Sequence, residues 1–488
     1  MKQRRFFISA ILIFVLAAGL IIFIGKSNEK TWNLDRYKSQ RINWEDCYQD
    51  FKCGTFRVPI NYETPEKGHF TLQVLKHEAT DKKNRLGSIL VNPGGPGGSA
   101  YDYAMSANSI VSKDLNSKYD IVGFDGRGIG MSEPIRCLSD KEEDKFIDID
   151  GASGTSNKLI DAAKSFADAC AAKAGVKLGH LSTFETAKDM EIFRNILGEK
   201  KLNFLGKSYG TYLGAIFISL YPDSVGRFVL DGAVDPNISI RDQSLNQTAG
   251  FEKSLDNFIS ANPKFSKDQI QKFIEDSGTK PLRNRNGRPL SRSLAVTAIA
   301  ASLYDSALGW ANLKVGLTKA FDEGIPDRLL TIADQYNNRD SSGHYFNNQN
   351  DIGIAINCLD WNTRRSFEEL TKDVPNFIKA SETFGRYIAY GDLPCTYWKA
   401  PPLQPKLPFK DIRSTKFIII GVTKDPATPY IWAENLAKEF PDSILLTLNG
   451  EGHTGHDRGV KCIDSKVDAY FLRGELPDPG ISCVAGGN

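Results

Sequence analysis

The segment Gly206-Lys207-Ser208-Tyr209-Gly210 sets a serine hydroxyl between two glycines. A short apolar run, 202–205, leads into it, and a longer apolar run, 212–221, follows. Strand, tight turn and helix in that order make a nucleophile elbow, which lifts the serine above a sheet edge. The flanking glycines let strand and helix approach closely while the turn holds the serine backbone under strain. A serine hydroxyl is a poor nucleophile until a base takes its proton, and that base needs an acid to orient it.

Six histidines limit the choice of base. His69 and His77 lie in a predicted edge hairpin, His180 between helical segments, and His344 in a polar tract. His453 and His456 both follow the apolar strand segment 443–448, in Asn449-Gly450-Glu451-Gly452-His453-Thr454-Gly455-His456. His453, flanked by small residues, is the better placed base, and His456 is its competitor. The acid belongs on the loop after the preceding strand, 416–421, where Asp425 stands ahead of Pro426. Asp425 also suits a plain helix-capping role. The chain order Ser208, Asp425, His453 is that of the α/β-hydrolases and not of the two other familiar serine-protease arrangements. Backbone amides of Gly95 and Tyr209 are the expected donors to an oxyanion.

The elements that must position these groups alternate. Predicted strands at 56–62 and 70–77 form a hairpin; those at 87–91, 119–124, 202–205 and 228–230 alternate with helices at 157–172, 183–197 and 212–221. That alternation implies a mostly parallel sheet covered on both faces, with its site beyond the C-terminal strand ends. The strand at 87–91 runs into Asn92-Pro93-Gly94-Gly95-Pro96-Gly97-Gly98-Ser99, whose glycines leave amides uncovered. This loop lacks the Lys-Ser/Thr ending of a phosphate loop. The strand at 119–124 runs into Asp125-Gly126-Arg127-Gly128-Ile129-Gly130, where Arg127 and Asp125 are expected to pair and fix a structural loop. Beyond Pro236 the texture becomes long amphipathic segments, until strands resume at 416–421 and 443–448. The expected organisation is therefore an N-terminal segment 1–43, a first part of the sheet domain at 44–236, a helical lid inserted at 237–402, and the remaining sheet domain at 403–488.

The 488 residues carry 61 basic and 59 acidic side chains, a net charge of +2, which gives no electrostatic reason to expect nucleic acid as a partner. Basic residues at 2–5 precede an apolar run at 6–24, just long enough to cross roughly 30 Å of hydrocarbon. Positive charge ahead of the run keeps that end inside and sends the rest across the membrane. An uncleaved membrane anchor and a cleaved signal both place the folded part outside. The eight cysteines fit an oxidising compartment, and their spacing suggests Cys47 with Cys53, Cys137 with Cys170, Cys358 with Cys395, and Cys462 with Cys483, although spacing alone does not fix connectivity. None has metal-ligand spacing with histidine, so no metal site is expected.

The glycine loop at 92–98, the segment Asp125 to Ser132, the elbow at 206–210 and the C-terminal stretch from His453 through Cys462 to Cys483 closely resemble secreted α/β-hydrolases of the tripeptidyl aminopeptidase type, relatives of the proline iminopeptidases. The resemblance spans most of 47–483, the helical insertion included. It implies Ser208, Asp425 and His453 as a triad, removal of short peptides from free N-termini, and no cofactor. Proline iminopeptidases carry a histidine before the paired glycines of the oxyanion loop; Pro93 here fits the tripeptidyl branch better. Such an enzyme needs an acid for the substrate's ammonium, and Asp360, beside Cys358 and Trp361, is one acidic residue of the insertion placed to supply it. Two other readings compete: a carboxylesterase or lipase-like enzyme using the same triad, and an inert binding protein, whose signature would be a broken triad.

Overall fold

Short runs rich in Ile, Val, Leu and Phe build the middle of one sheet, because strands covered on both faces need apolar side chains on both. The computed structural model describes residues 32–151, 156–362, 364–402 and 415–486. The strands are β1 (Glu45–Cys47), β2 (Phe51–Pro59), β3 (His69–His77), β4 (Gly87–Asn92), β5 (Tyr119–Phe124), β6 (Leu202–Lys207), β7 (Val225–Asp231), β8 (Ile418–Lys424), β9 (Ile444–Glu451) and β10 (Ser482–Val484). Among the described residues they form one ten-stranded sheet in the order β1-β2-β3-β5-β4-β6-β7-β8-β9-β10. Pairs from β5 through β10 are parallel, and β1, β2 and β3 extend the sheet as antiparallel strands. The sheet is thus mostly parallel.

Helices of ten residues or more are α1 (Ser156–Ala174), α2 (Thr183–Ile196), α3 (Tyr209–Leu220), α4 (Ile240–Ala261), α5 (Lys267–Ser277), α6 (Arg292–Ser302), α7 (Leu308–Glu323), α8 (Asp327–Tyr336), α9 (Gln349–Asp360), α10 (Phe367–Ala380), α11 (Tyr430–Glu439) and α12 (Lys461–Arg473). Side chains alternate across the sheet. Val122, Phe204, Phe228 and Ile419 pack into one core, and Ile121, Leu205, Val229 and Ile420 into the other. Helix α3 is covered on most sides, and Phe217 stacks on Phe228, which in turn meets Phe204. Burying each such ring contributes about 1.5–3 kcal/mol. Helices α4 to α8 share a separate apolar core around Leu255, Phe258, Ala298, Leu317 and Leu329. Ala427, on the loop after β8, joins that core, so the helical layer rests directly on that loop.

Several boundaries differ from the sequence-based ones. Strand β2 begins at Phe51, because pairing with β3 carries through polar Lys52 and Thr55 as far as His77. Helix α2 ends at Ile196, one residue early, and Ser182 caps its start, its side chain accepting the Glu185 N–H. Helix α3 starts at Tyr209, immediately after the serine. The apolar run at 6–24 and residues 403–414 lie outside the described residues, among which no helix is long and apolar enough to cross a membrane. All eight cysteines are paired as the spacing suggested: Cys47–Cys53, Cys137–Cys170, Cys358–Cys395 and Cys462–Cys483.

Candidate active site

Strand order reverses at β4, which lies between β5 and β6, and loops leaving the C-terminal ends of β4 and β6 meet there. Such a switch point opens a crevice at the sheet edge. Ser208 sits in it with φ 54° and ψ −124°, a conformation L-residues adopt only when the surroundings impose it. Its N–H donates to the Asp231 carbonyl at 2.8 Å, and its carbonyl accepts the Thr211 N–H and hydroxyl. Both elbow glycines are required by contact. A Cβ on Gly206 would lie 2.6 Å from the Gly210 carbonyl, and one on Gly210 2.8 Å from the Asn92 side chain.

The glycine loop folds against the serine. Gly94, Gly95 and Gly97 all have positive φ, and a Cβ on Gly94 would stand 2.9 Å from that of Ser208. Tyr209 opens α3, so its N–H lies in the first turn, where no intrahelical acceptor exists. Gly95 and Tyr209 line one cleft together with Ser208.

His453 Nδ1 lies 2.9 Å from each Asp425 carboxylate oxygen, and the carboxylate is fully buried. Asp425 also accepts the N–H groups of Ala427, Thr428 and Thr454 and the Thr428 hydroxyl. That many donors fix its orientation. The imidazole lies close to the end of β7 beside the elbow: a Cβ on Gly232, next to the residue that binds the Ser208 N–H, would lie 3.3 Å from His453 Cε1. Thr428, which touches Nδ1, lines the same cleft as Ser208. The structure therefore brings Ser208, His453, Asp425, Gly95 and Tyr209 to one place.

His456 is not part of that group. It is buried away from Asp425, and loss of hydration, with Lys207 nearby, pushes its imidazole down to about 3. Arg127 and Asp125 do not pair. Arg127 instead makes a bidentate bond to Asp189 and a further bridge to Glu185, deep inside the fold. Asp125 accepts the Ser99 hydroxyl and the N–H groups of Tyr101 and Met131, holding the residues that follow the glycine loop.

Two contributors carry little signature in the sequence. The Tyr304 carbonyl, from the helical layer, accepts the His453 N–H at 2.7 Å, and its ring meets the imidazole edge-on. The Asp231 carboxylate, fully buried, accepts the Gly455 and His456 N–H groups and so anchors the histidine loop to the strand whose carbonyl holds Ser208. Only the run of small residues around His453, and Asp231 at a strand end, hint at this.

A strained serine at a parallel sheet's switch point, with an oriented histidine–carboxylate pair beside it, defines an α/β-hydrolase. The TAP-like protein family matches the chain over residues 381–483. Serine protease Hip1 of Mycobacterium tuberculosis is 32% identical over 462 residues, covering 88% of this chain and 87% of the relative. The tripeptidyl aminopeptidase of Streptomyces lividans is 31% identical, over 91% of this chain and 86% of its own. A protein of Mycobacterium tuberculosis named Carboxylesterase B is 33% identical, over 89% and 86%. The chain belongs to this family of TAP-like α/β-hydrolases, and among its members are serine peptidases.

Proposed function

We propose that the chain is an exported serine exopeptidase that hydrolyses short peptides from free N-termini through an acyl-enzyme on Ser208. The observation that carries this reading is the His453 ring held by both oxygens of Asp425 beside a serine at positive φ. His453, with Nδ1–H donated to Asp425, presents Nε2 as the base for the Ser208 proton. The hydroxyl attacks the carbonyl, and the Gly95 and Tyr209 N–H groups receive the oxyanion. Protonated His453 then gives its proton to the leaving amine. Water, deprotonated by the same ring, releases the acyl group. The helical layer, assigned to 237–402, acts as a lid: Gln243 and Gln247 of α4 and Asn357 of α9 line the cleft above Ser208. Four disulfides support export, since such bonds persist in oxidising compartments. An anchor at 6–24 facing the folded part outward completes the proposal, with no cofactor or nucleic acid involved.

The test pairs labelling with product analysis. A fluorophosphonate should label the wild type and not Ser208→Ala; labelling that survives the substitution removes Ser208 as nucleophile. Mass spectrometry of peptides with free and acetylated N-termini should show cleavage at a fixed short distance from the free amine. The relative named Carboxylesterase B favours a second reading, and turnover of simple esters with no peptide cleaved would establish it in place of the first.

A further inference from the structure

The narrow cleft that Ser208 lines is also lined by a carboxylate that the reaction scheme leaves unused. Asp360, the last residue of α9, is 5% exposed and lines this cleft together with Ser208 and Tyr209. Its oxygens accept the Thr183 N–H at 2.9 Å and the Thr183 hydroxyl at 2.5 Å. Two lone-pair positions remain, and among the described residues no lysine, arginine or histidine pairs with it. Several other buried acids have a cation: Asp189 has Arg127, Asp373 has Arg241 and Arg365, and Asp231 has Lys207 nearby, while Asp125, which like Asp360 has none, accepts three hydrogen bonds and does not line this cleft. Burial without a counter-cation pushes the Asp360 carboxyl up to about 7. An arriving cation would reverse that shift, since an opposite charge within a few ångströms favours the ionised form.

The walls between Ser208 and this acid are aromatic. Tyr209, Tyr212 and Trp361 line the cleft, with Tyr212 stacked on Trp361 at 5.6 Å. Rings of this kind cover a methylene stem and attract a cation over their faces. Depth is set by Tyr209: it follows the nucleophile in the chain, and its hydroxyl meets the same Thr183 hydroxyl that binds Asp360. An extended lysine side chain is almost as long as a tyrosine. A lysine acylating Ser208 and lying along Tyr209 therefore brings its ammonium to the depth of Asp360. A peptide's α-amine, two residues further along at about 3.3–3.6 Å each, belongs further from the serine.

We infer that Asp360 closes a specificity pocket for a basic side chain, and that the preferred acyl residue is lysine or a similar cation. This rests on Ser208 being the nucleophile, and it names the substrate class for that reading.

The experiment compares H-Ala-Ala-Lys and H-Ala-Ala-norleucine anilides, free and N-acetylated, together with p-nitrophenyl esters of N-acyl lysine and N-acyl norleucine. In the wild type kcat/KM should favour lysine by about tenfold to a hundredfold, the range of one charge-assisted bond. Asp360→Asn, checked for folding by circular dichroism, should bring the lysine-to-norleucine ratio close to one. Pentylammonium, tested on the wild type alone, should slow fluorophosphonate labelling where 1-pentanol at the same concentration does not. A wild-type ratio near one, or a ratio unchanged in folded Asp360→Asn, overturns the inference. So does a variant that keeps the lysine preference but loses discrimination against acetylated N-termini, because the carboxylate then binds the α-amine. If esters alone are cleaved, the peptidase reading fails, and the ester pair still decides the pocket. If Asp360→Asn does not fold, the wild-type ratio and the pentylammonium protection decide, and absence of either is fatal.

Discussion

Asp425 spends its oxygens on four donors besides the imidazole, so its charge is oriented before any substrate arrives. Replacing it with asparagine puts an amide among groups that all donate and leaves His453 Nδ1 in the wrong tautomer. Asp425→Asn should lower kcat by about 10³- to 10⁴-fold with a much smaller change in KM, which steady-state kinetics on an anilide would read. A loss below tenfold would mean that another carboxylate orients the ring. His456 gives a prediction of a different kind. Its folded value of about 3 lies below the ordinary 6.5, so between those values the unfolded chain binds a proton that the folded one refuses. Stability through this group is therefore fully present above pH 6.5 and is lost as the pH falls toward 3, by about 3–5 kcal/mol in all. His456→Gln, which takes up no proton, should show a shallower fall in Tm between pH 7 and pH 4.5 than the wild type. Equal slopes would show that the imidazole is hydrated in the folded protein.

The elbow works as an element because three backbones meet where side chains would collide. Gly94→Ala asks for a Cβ 2.6 Å from the Lys207 carbonyl at φ +98°. The loop must then move away from Ser208, at a cost of about 1–3 kcal/mol. Tm should fall accordingly, and kcat should drop further than stability explains, since displacing an oxyanion donor costs about 10²- to 10³-fold. A variant with normal kcat would show that this loop holds no reacting oxygen. At this scale much was legible beforehand. Strand β5 reads as a strand because burial on both faces leaves almost no place for polar residues, and its bounds coincide with the apolar run. Strand β2 reads short because Lys52 and Thr55 belong to it only through pairing with β3, a tertiary fact. The three-residue β10 has too few side chains for any period and exists through its parallel pairing with β9. Ser208, Asp425 and His453, the proposed triad, stand out because the side chains of such a site follow strand ends in a set order. Tyr304 and Asp231 do not stand out. One acts through a main-chain carbonyl, and the other binds main-chain amides more than two hundred residues away. The expected Asp125–Arg127 pair failed for a similar reason, since a nearby charge in sequence lost to Asp189, which packing places in bidentate reach.

Over the whole molecule, the helical layer does more than cover the cleft. Through Tyr304 and its packing on Ala427 it touches the loops bearing His453 and Asp425, while α9, which packs into the sheet's core through Ile352, Ala355 and Ile356, supplies Asn357, Asp360 and the adjoining Trp361 to the cleft wall. The cleft wall and the loops bearing the proposed reacting groups thus rest on different helices, and separating their effects is possible. Cys358 of α9 is bonded to Cys395, 37 residues on. The bond ties the wall-forming helix to the segment that returns toward the sheet, far in sequence from Tyr304. Closing a loop of that size contributes about 3–4 kcal/mol by restricting the unfolded chain. The paired substitution Cys358→Ala and Cys395→Ala should lower unfolding free energy in urea by about that amount. It should also raise KM for peptides, because α9 carries much of the pocket. The rate of fluorophosphonate labelling, which needs the serine, the ring and the two amides but little of the pocket, should stay near the wild-type value. Equal losses in labelling and in peptide binding would show instead that the layer moves as one body, with the histidine shifting whenever the wall does.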